Sequence, residues 1–162
     1  MGIVLARIDS RLIHGQVLEA WVPHVQANCI MVANDRIGAL SLQKKIMKAA
    51  VPRGIEVFIG SLVEVAQQLA GARYSGLKVL LLFDSSRDAL RGHRDGIPLT
   101  ELNLGNMHAG EGKQRYSCTL ALDAEDIANF DALEACGVKI VSQCLPADHE
   151  RDWHKLMALG GG

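Results

Sequence analysis

Continuous apolar runs alternate along the chain with segments whose apolar residues recur at helical spacing. The run 77–83, Leu-Lys-Val-Leu-Leu-Leu-Phe, is the clearest of the apolar runs. It predicts a central strand that is covered on both faces, because a strand with one wet face alternates polar and apolar residues instead. The predicted strands are Ile3–Ile8, Cys29–Ala33, Glu56–Ile59, Lys78–Phe83, Leu102–Leu104, Tyr116–Leu122 and Lys139–Cys144.

Helix signals fall between these strands. Ser61–Glu64 has the form of a capping box, and Gly137 suits the left-handed residue that ends a helix. The first predicted helix begins near Gln16, and Pro23 leaves its end undefined. The other predicted helices are Ser41–Ala50, Ser61–Gly71, Asp123–Cys136 and Glu150–Leu159. A frayed tail of three glycines is predicted at 160–162. In the second helix we expect one apolar face, made of Leu42, Ile46, Met47 and Ala50, opposite a lysine face.

This alternation predicts an α/β fold with an open, mainly parallel β-sheet of about seven strands and helices on both faces. A chain of 162 residues is predicted to form a single domain, 1–162. In open parallel sheets, ligands bind beyond the carboxyl ends of the strands. Candidate functional residues are therefore sought in the loops that follow the strands.

Composition narrows the classes of partner. The chain has 17 lysines and arginines against 18 aspartates and glutamates, so charge gives no argument for nucleic acid as a partner. No apolar run reaches the length of about 18 residues that a spanning helix needs. The amino-terminal residues lack signal-peptide features, and the four cysteines form no Cys-x-x-Cys pair. Together these features predict a cytoplasmic protein with free thiols.

The most informative segment is residues 9–16, Asp-Ser-Arg-Leu-Ile-His-Gly-Gln. It holds His14 at a strand-to-helix turn, where a neutral imidazole is a good nucleophile and free N–H groups bind an anion. Arg11 offers paired donors to phosphate oxygens, and Asp9 is suited to orient the arginine or the imidazole. Gly15 and Gln16 are predicted to lie against the phosphate. These residues predict that His14 is a nucleophile that becomes phosphorylated. The alternative is an ordinary solvated histidine in a loop.

Further polar residues follow other predicted strands and are expected at the same edge of the sheet. Ser85 and Ser86 follow the fourth strand and are predicted to donate to a phosphate, with helix capping as the commoner role. Asn34, Asp35 and His108 are candidate rim residues, with an ordinary polar loop as the alternative for His108. These five residues converge on His14 only if their loops face one crevice.

Two other site types are excluded by spacing. Residues 105–113 resemble a phosphate-binding P-loop, but Glu111 stands where that motif needs lysine, and a strand rather than a helix is predicted to follow. Cys144, His149 and His154 fit no zinc pattern. The sequence therefore predicts no cofactor and no metal.

The His14 segment carries a family resemblance. Residues 9–17, with Trp21 shortly after, resemble the active-site loop of IIB components of the mannose/fructose/sorbose family of the bacterial phosphoenolpyruvate-dependent sugar phosphotransferase system. Four further segments match that family in the same order: Val32–Asp35, Lys48–Pro52, Leu102–His108 and Leu145–Asp148. Two positions depart from its pattern. Asp84 lies where many members carry a Phe-Lys-Thr-Pro-like turn, and Asn106 replaces a frequent glycine.

The resemblance implies a protein-N(π)-phosphohistidine–sugar phosphotransferase component, held at the inner face of the membrane through its partners. His14 would accept a phosphoryl group from a phosphohistidine on a IIA protein or domain. It would then donate the group to a hexose-type sugar crossing the membrane through IIC and IID components, with Arg11 stabilising the phosphate. A regulatory phosphohistidine protein without a transport role and a small-ligand binding module stay open as alternatives, as do a homo-oligomer and the identity of the phosphorylated nitrogen.

Overall fold

The computed structural model describes residues 2–160, so the last two residues of the predicted tail lie outside the described residues. The strands are β1 Gly2–Asp9, β2 Cys29–Ala33, β3 Glu56–Gly60, β4 Lys78–Phe83, β5 Glu101–Asn106, β6 Gln114–Arg115, β7 Ala121–Leu122, β8 Lys139–Ser142 and β9 Arg151–Asp152. The first helix, α1, joins a π-helical segment Val17–Trp21 to an α-helical turn Val22–Val25. The other helices are α2 Asp35–Gly38, α3 Ser41–Ala49, α4 Leu62–Ala70, α5 Ser86–Arg94, α6 Ala124–Ala135 and α7 Trp153–Gly160.

Seven strands form one sheet in the order β3-β2-β4-β1-β5-β8-β9, and β6 pairs with β7 in a separate ribbon. All neighbours in the large sheet are parallel except β8 and β9. The predicted α/β class with an open, mainly parallel sheet is therefore confirmed. Strand β1 lies in the middle, between β4 and β5, so the loop after it opens at the centre of the carboxyl edge.

The sheet is buried between two helical layers, as the continuous apolar runs predict. Along β4, Leu81 packs into a cluster with residues of α4, α5, α6 and α7, whereas Leu80 and Leu82 pack into a second cluster with residues of α1 and α2. Met47 of α3 packs against that second cluster. Successive strand side chains point to opposite faces, so a strand buried on both sides has no polar alternation.

One predicted strand is wrong. Residues 116–119 form a turn, and only Ala121–Leu122 is a strand, paired with Gln114–Arg115. The Ser117 hydroxyl accepts hydrogen bonds from the backbone N–H groups of Thr119 and Leu120, at 3.3 and 3.1 Å. Such local side-chain bonds compete with a strand ladder, and they close the turn here.

The predicted ends of the chain's later elements need correction. Strand β8 stops at Ser142, and the segment predicted as the start of the last helix instead contributes β9, an antiparallel edge strand. Helix α5 is absent from the predicted elements, because only two of its nine residues, Ala89 and Leu90, carry an apolar side chain. The predicted capping box at Ser61 is confirmed, Asp123 forms a second one, and Gly137 has a φ of 90°.

Helix α3 departs from its predicted packing. Of the four residues expected on one apolar face, only Met47 is partly buried. Leu42 and Ile46 are 70% and 63% exposed, and Ala50 is exposed as well. The face of α3 that meets the core is therefore not the face that carries its large aliphatic residues.

No helix among residues 2–160 is long and apolar enough to cross a membrane.

Replacing Leu81 by alanine is expected to lower the free energy of unfolding by about 2–5 kcal/mol, because it leaves a cavity in a central strand that is fully buried. The matched control is Leu42→Ala, which removes the same atoms from an exposed site and should change stability by at most about 0.5 kcal/mol. Chemical denaturation measures both. Equal losses at the two positions would contradict the described packing.

Candidate active site

The candidate site is the loop between β1 and α1. Its backbone is tied down on both sides: the Ser10 N–H donates to the Asn106 carbonyl at 2.8 Å, and the Leu12 N–H donates to the Asp9 carbonyl at 2.9 Å. Leu12 is buried with a φ of 59°, a left-handed conformation that a leucine adopts only when its surroundings impose it. The loop is thus a tight turn anchored by Leu12 beneath α1.

Asp9 holds the His14 ring. The Asp9 carboxylate is fully buried, and its Oδ2 lies 2.8 Å from Nε2 of His14. Asp9 also accepts hydrogen bonds from the Arg11 backbone N–H at 3.0 Å and from the Asn106 side-chain amide at 3.0 Å. An ionised carboxylate is only an acceptor, so the Nε2 position carries the proton. Nδ1 of His14 is buried and has no hydrogen-bond partner among residues 2–160.

A buried arginine lies behind this pair. Arg7 is fully buried two residues before Asp9 on the same strand, and its Nε lies 3.7 Å from Oδ2 of Asp9. Its guanidinium stacks on the Trp21 ring at 4.6 Å from the ring centre. Burial lowers the pKa of Arg7, and the negative charge of Asp9 opposes that shift. A positive group therefore faces the carboxylate from the inside of the protein.

The Arg7 guanidinium is held by groups from β5 and the segment after β8. It donates to the side-chain oxygen of Asn103, to the Gln143 carbonyl at 2.7 Å and to the Cys144 carbonyl at 2.9 Å. Gly105 leaves room for it, because a Cβ at that position would lie 2.3 Å from the guanidinium. Asn103, Gly105 and the carbonyl groups of Gln143 and Cys144 thus enclose the Arg7 guanidinium in a cage.

The structure places the remaining residues of the predicted loop at the surface or at its edge. Arg11 is exposed, and its backbone N–H, as described above, bonds to Asp9. Gly15 is exposed, and a Cβ there would meet no atom within 4 Å, so the packing of the chain does not require glycine. Gln16 is half-buried, with its Oε1 buried and unpartnered.

Ser85 and Ser86 have structural partners. The Ser85 hydroxyl accepts from the Asp88 N–H and caps α5. Ser86 is buried, donates to Asp126 at 2.7 Å and accepts from Asn129 at 3.0 Å. The commoner role that the sequence offered, helix capping, is therefore the one that Ser85 fills.

The predicted rim residues do not surround His14. Asn34 caps α2 by accepting from the Ile37 N–H, and Asp35 accepts from the Leu62 N–H and pairs with Arg91. Residues 34, 35, 85 and 86 share a cavity of about 420 Å³ whose lining includes no residue of the His14 loop. His108 is exposed, and among the described residues it makes no hydrogen bond or ion pair with that loop.

Sequence reasoning missed Arg7 and the amides of Asn103 and Asn106. The sequence contained one signal for Arg7, a charged residue in an otherwise apolar strand. Residues two positions apart on a strand point to the same face, so Arg7 must lie on the same face as Asp9. The amides are brought to Arg7 and Asp9 by the register of β5 beside β1, which pairs Arg7 with Asn103 and Asp9 with Asn106. Asn106, the departure from the family pattern, adds a donor to Asp9.

Comparison with known proteins identifies the family. The family model described as the PTS system sorbose subfamily IIB component matches residues 3–161. This chain belongs to that family. It is 38% identical over 156 residues to N-acetylgalactosamine-specific phosphotransferase enzyme IIB component 2 of Escherichia coli, covering 96% of this chain and 99% of the relative.

Two further matches extend the comparison. The crystal structure of the IIBSor domain of the sorbose permease from Klebsiella pneumoniae superposes with a TM-score of 0.91 at 31% identity, covering 98% of this chain and 97% of that one. The mannose-specific EIIAB component of Escherichia coli is 31% identical over 140 residues, which cover 86% of this chain and 43% of the relative. The chain is therefore an IIB phosphotransferase component of a sugar transport system.

Among residues 2–160, no group of three His, Cys, Asp or Glu side chains is arranged to hold a metal ion.

We predict that Asp88→Asn stabilises the protein above pH 7. Burial, together with a hydrogen bond and the negative charge of Asp84, raises the pKa of Asp88 from 3.8 to about 7. The folded state therefore keeps a proton that the unfolded chain loses, and the free energy of unfolding falls as the pH rises between these two values. The amide of the variant cannot ionise, so its advantage over wild type should disappear at a pH below 3.8.

Denaturation across this pH range measures the effect, with Asp95→Asn as an exposed control at the end of the same helix. An advantage that is constant with pH would contradict the shifted pKa.

Gly105→Ala is expected to lower the free energy of unfolding by about 1–3 kcal/mol, because the added methyl group overlaps the caged Arg7 guanidinium. Gly110→Ala is the matched control, since a Cβ at Gly110 meets nothing within 4 Å. Thermal or chemical unfolding compares the two. Equal stability of both variants would show that the cage tolerates displacement of Arg7.

Proposed function

We propose that this IIB component is a phosphoryl carrier. His14 accepts a phosphoryl group from a phosphohistidine on a IIA protein or domain and donates it to a hexose-type sugar during uptake through IIC and IID membrane components. The observation that carries this proposal is the 2.8 Å contact between Asp9 and Nε2 of His14, within a family of phosphotransferase components. A carboxylate that orients a ring nitrogen is the arrangement that activates a histidine nucleophile.

The geometry favours Nδ1 as the nucleophilic atom. The Nε2–H group donates a hydrogen bond to Asp9, so the free lone pair of the neutral imidazole is on Nδ1. As phosphorus bonds to Nδ1, its bond to the donor imidazole breaks, and that imidazole leaves with the electron pair. The ring of His14 then gains positive charge. The buried Asp9 carboxylate stabilises that charge through the Nε2 proton, which stays in place.

Arg11 is proposed to stabilise the transferred group. Phosphoryl transfer depends mainly on positioning and on stabilising charge at the phosphoryl oxygens. Arg11 is exposed beside the loop, so its guanidinium is available to those oxygens. The backbone N–H groups of Gly15 and Gln16 lie immediately before α1 and are proposed as further donors.

Access to His14 requires movement. Its side chain is 6% exposed, and Nδ1 is buried. An in-line approach of a donor phosphohistidine therefore needs the covering atoms to shift or the ring to turn outward. We propose that partner binding supplies this opening, which keeps the phosphohistidine away from water between the two transfers.

The proposed partners are inferred from membership of the IIB family. The EIIAB name of the mannose-specific relative joins an A and a B component, and the match covers 43% of that relative's length. A IIA donor is thus proposed for this chain, on a separate protein or on a linked domain. Location in the cytoplasm, at the inner face of the membrane through IIC and IID, is part of the same proposal.

Intact mass after incubation with phosphoenolpyruvate, the general phosphotransferase proteins and a IIA donor tests the carrier role. Wild type should gain one acid-labile phosphoryl group, and His14→Ala should gain none. Asp9→Asn should be phosphorylated roughly a hundredfold more slowly, because the ring loses its orienting carboxylate. His149→Ala, which removes an exposed histidine elsewhere, is the control and should behave as wild type.

The outcomes separate the three functions. Phosphorylation followed by transfer to a hexose in vesicles carrying IIC and IID supports transport. Phosphorylation without transfer to any sugar tested would favour a regulatory phosphohistidine protein. A folded wild type that gains no phosphoryl group from several IIA donors would overturn the proposal in favour of a small-ligand binding module.

A further inference from the structure

Helix α3 carries an apolar stripe that points away from the protein. Leu42, Ile46 and Ala49 recur at the spacing i, i+4 and i+7, which places them along one side of an α-helix. All three are exposed, and Leu42 and Ile46 are the most exposed large aliphatic side chains among residues 2–158.

The opposite side of α3 is the one that faces the protein. Met47 packs against the core cluster beneath α1, and the Lys44 stem is partly buried with its ammonium donating to the Gly38 carbonyl at 3.4 Å. The stripe therefore lies outside both clusters of the hydrophobic core. Isolated exposed aliphatic residues are ordinary, but an ordered stripe on one helix marks a contact surface.

The chain segment that contains α3 carries charge of a single sign, and the Glu64 carboxylate of α4 lies near Lys44. Residues 36–55 contain Arg36, Lys44, Lys45, Lys48 and Arg53 and no acidic residue. Lys45 and Lys48 are exposed on α3 itself. An aliphatic stripe bordered by lysines is the pattern of a helix that lies on an anionic lipid surface, with its apolar side chains below the headgroups and its ammonium groups among the phosphates.

We propose that α3 binds the surface of a membrane rich in anionic phospholipid. The complementary charge of that surface and the aliphatic character of the stripe select lipid over an acidic protein, which would offer the stripe no extended apolar layer. With only two large aliphatic side chains inserted, binding is weak and reversible. Basic side chains near the surface supply most of the attraction.

The position of α3 relates a contact with lipid to the His14 loop. Helices α1 and α3 pack against the same core cluster, so they lie in one layer on the same face of the sheet, and α1 follows the His14 loop directly. Contact through α3 would hold the carrier beside the membrane while it meets IIC and IID. That use rests on the proposed function, whereas lipid binding itself does not require His14 or phosphorylation.

Co-sedimentation with vesicles tests the proposal on the unphosphorylated full chain. We expect binding to vesicles of phosphatidylglycerol mixed with phosphatidylcholine and much weaker binding to phosphatidylcholine alone. Lys45→Glu with Lys48→Glu, and separately Leu42→Ser with Ile46→Ser, should each weaken binding by roughly tenfold. All four positions are exposed, so the variants should fold, and circular dichroism verifies that they do.

Matched controls lie on other surfaces. Arg94→Glu with Lys155→Glu makes the same charge change at exposed sites away from α3, and Leu145→Ser removes an exposed leucine elsewhere. Both should bind as wild type. The proposal is overturned if wild type does not bind the anionic vesicles, if the controls weaken binding as much as the α3 variants, or if light scattering shows a dimer that the Leu42→Ser/Ile46→Ser variant abolishes. Failed phosphorylation of a vesicle-binding protein would count against the carrier role alone.

Discussion

The buried carboxylate of Asp9 is the group around which this molecule is arranged. An ionised carboxylate out of contact with water is strongly unfavourable unless several donors and an opposite charge compensate it. Here the donors come from His14, the Arg11 backbone and Asn106, and the charge comes from Arg7. These groups belong to β1, its loop and β5, so the carboxylate is stable only when the central strands are assembled.

That constraint extends through the sheet. Arg7 is as deeply buried as Asp9, and it is held by carbonyl groups that follow β8 as well as by Asn103 of β5. Gly105 leaves the space that its guanidinium fills. Site chemistry and fold stability are therefore coupled, since a change that displaces the arginine also disturbs the group that orients the histidine.

The site combines residues on a rigid central strand with a residue on a loop that is less regular. Asp9 and Arg7 lie on a central strand, whereas His14 lies on a short loop with a left-handed leucine, followed by a π-helical segment. π-Helical segments and left-handed residues are uncommon, and they cluster at sites where function uses the strain. A rigid strand that carries Asp9, followed by a strained loop that carries His14, suits a histidine that must meet two different partners in turn.

Local sequence patterns were enough to predict the α/β class, the parallel sheet, one capping box and the place of His14 after the first strand. These follow from local signals: continuous apolar runs, cap residues and the strand–loop–helix pattern around residue 14. Pattern alone also suggested a strand at 116–122. It failed there because a serine hydroxyl bonded to the backbone locally, which no hydrophobic period records.

Which polar residues meet depends on the three-dimensional fold. It brought Asn106 to Asp9 and placed Ser85 and Asn34 in a separate cavity, because strand order and register set these distances. It also turned the aliphatic side of α3 outward. A helical period shows that one side is apolar but not whether that side meets the core, since the orientation of a helix is set by the neighbours against which it packs.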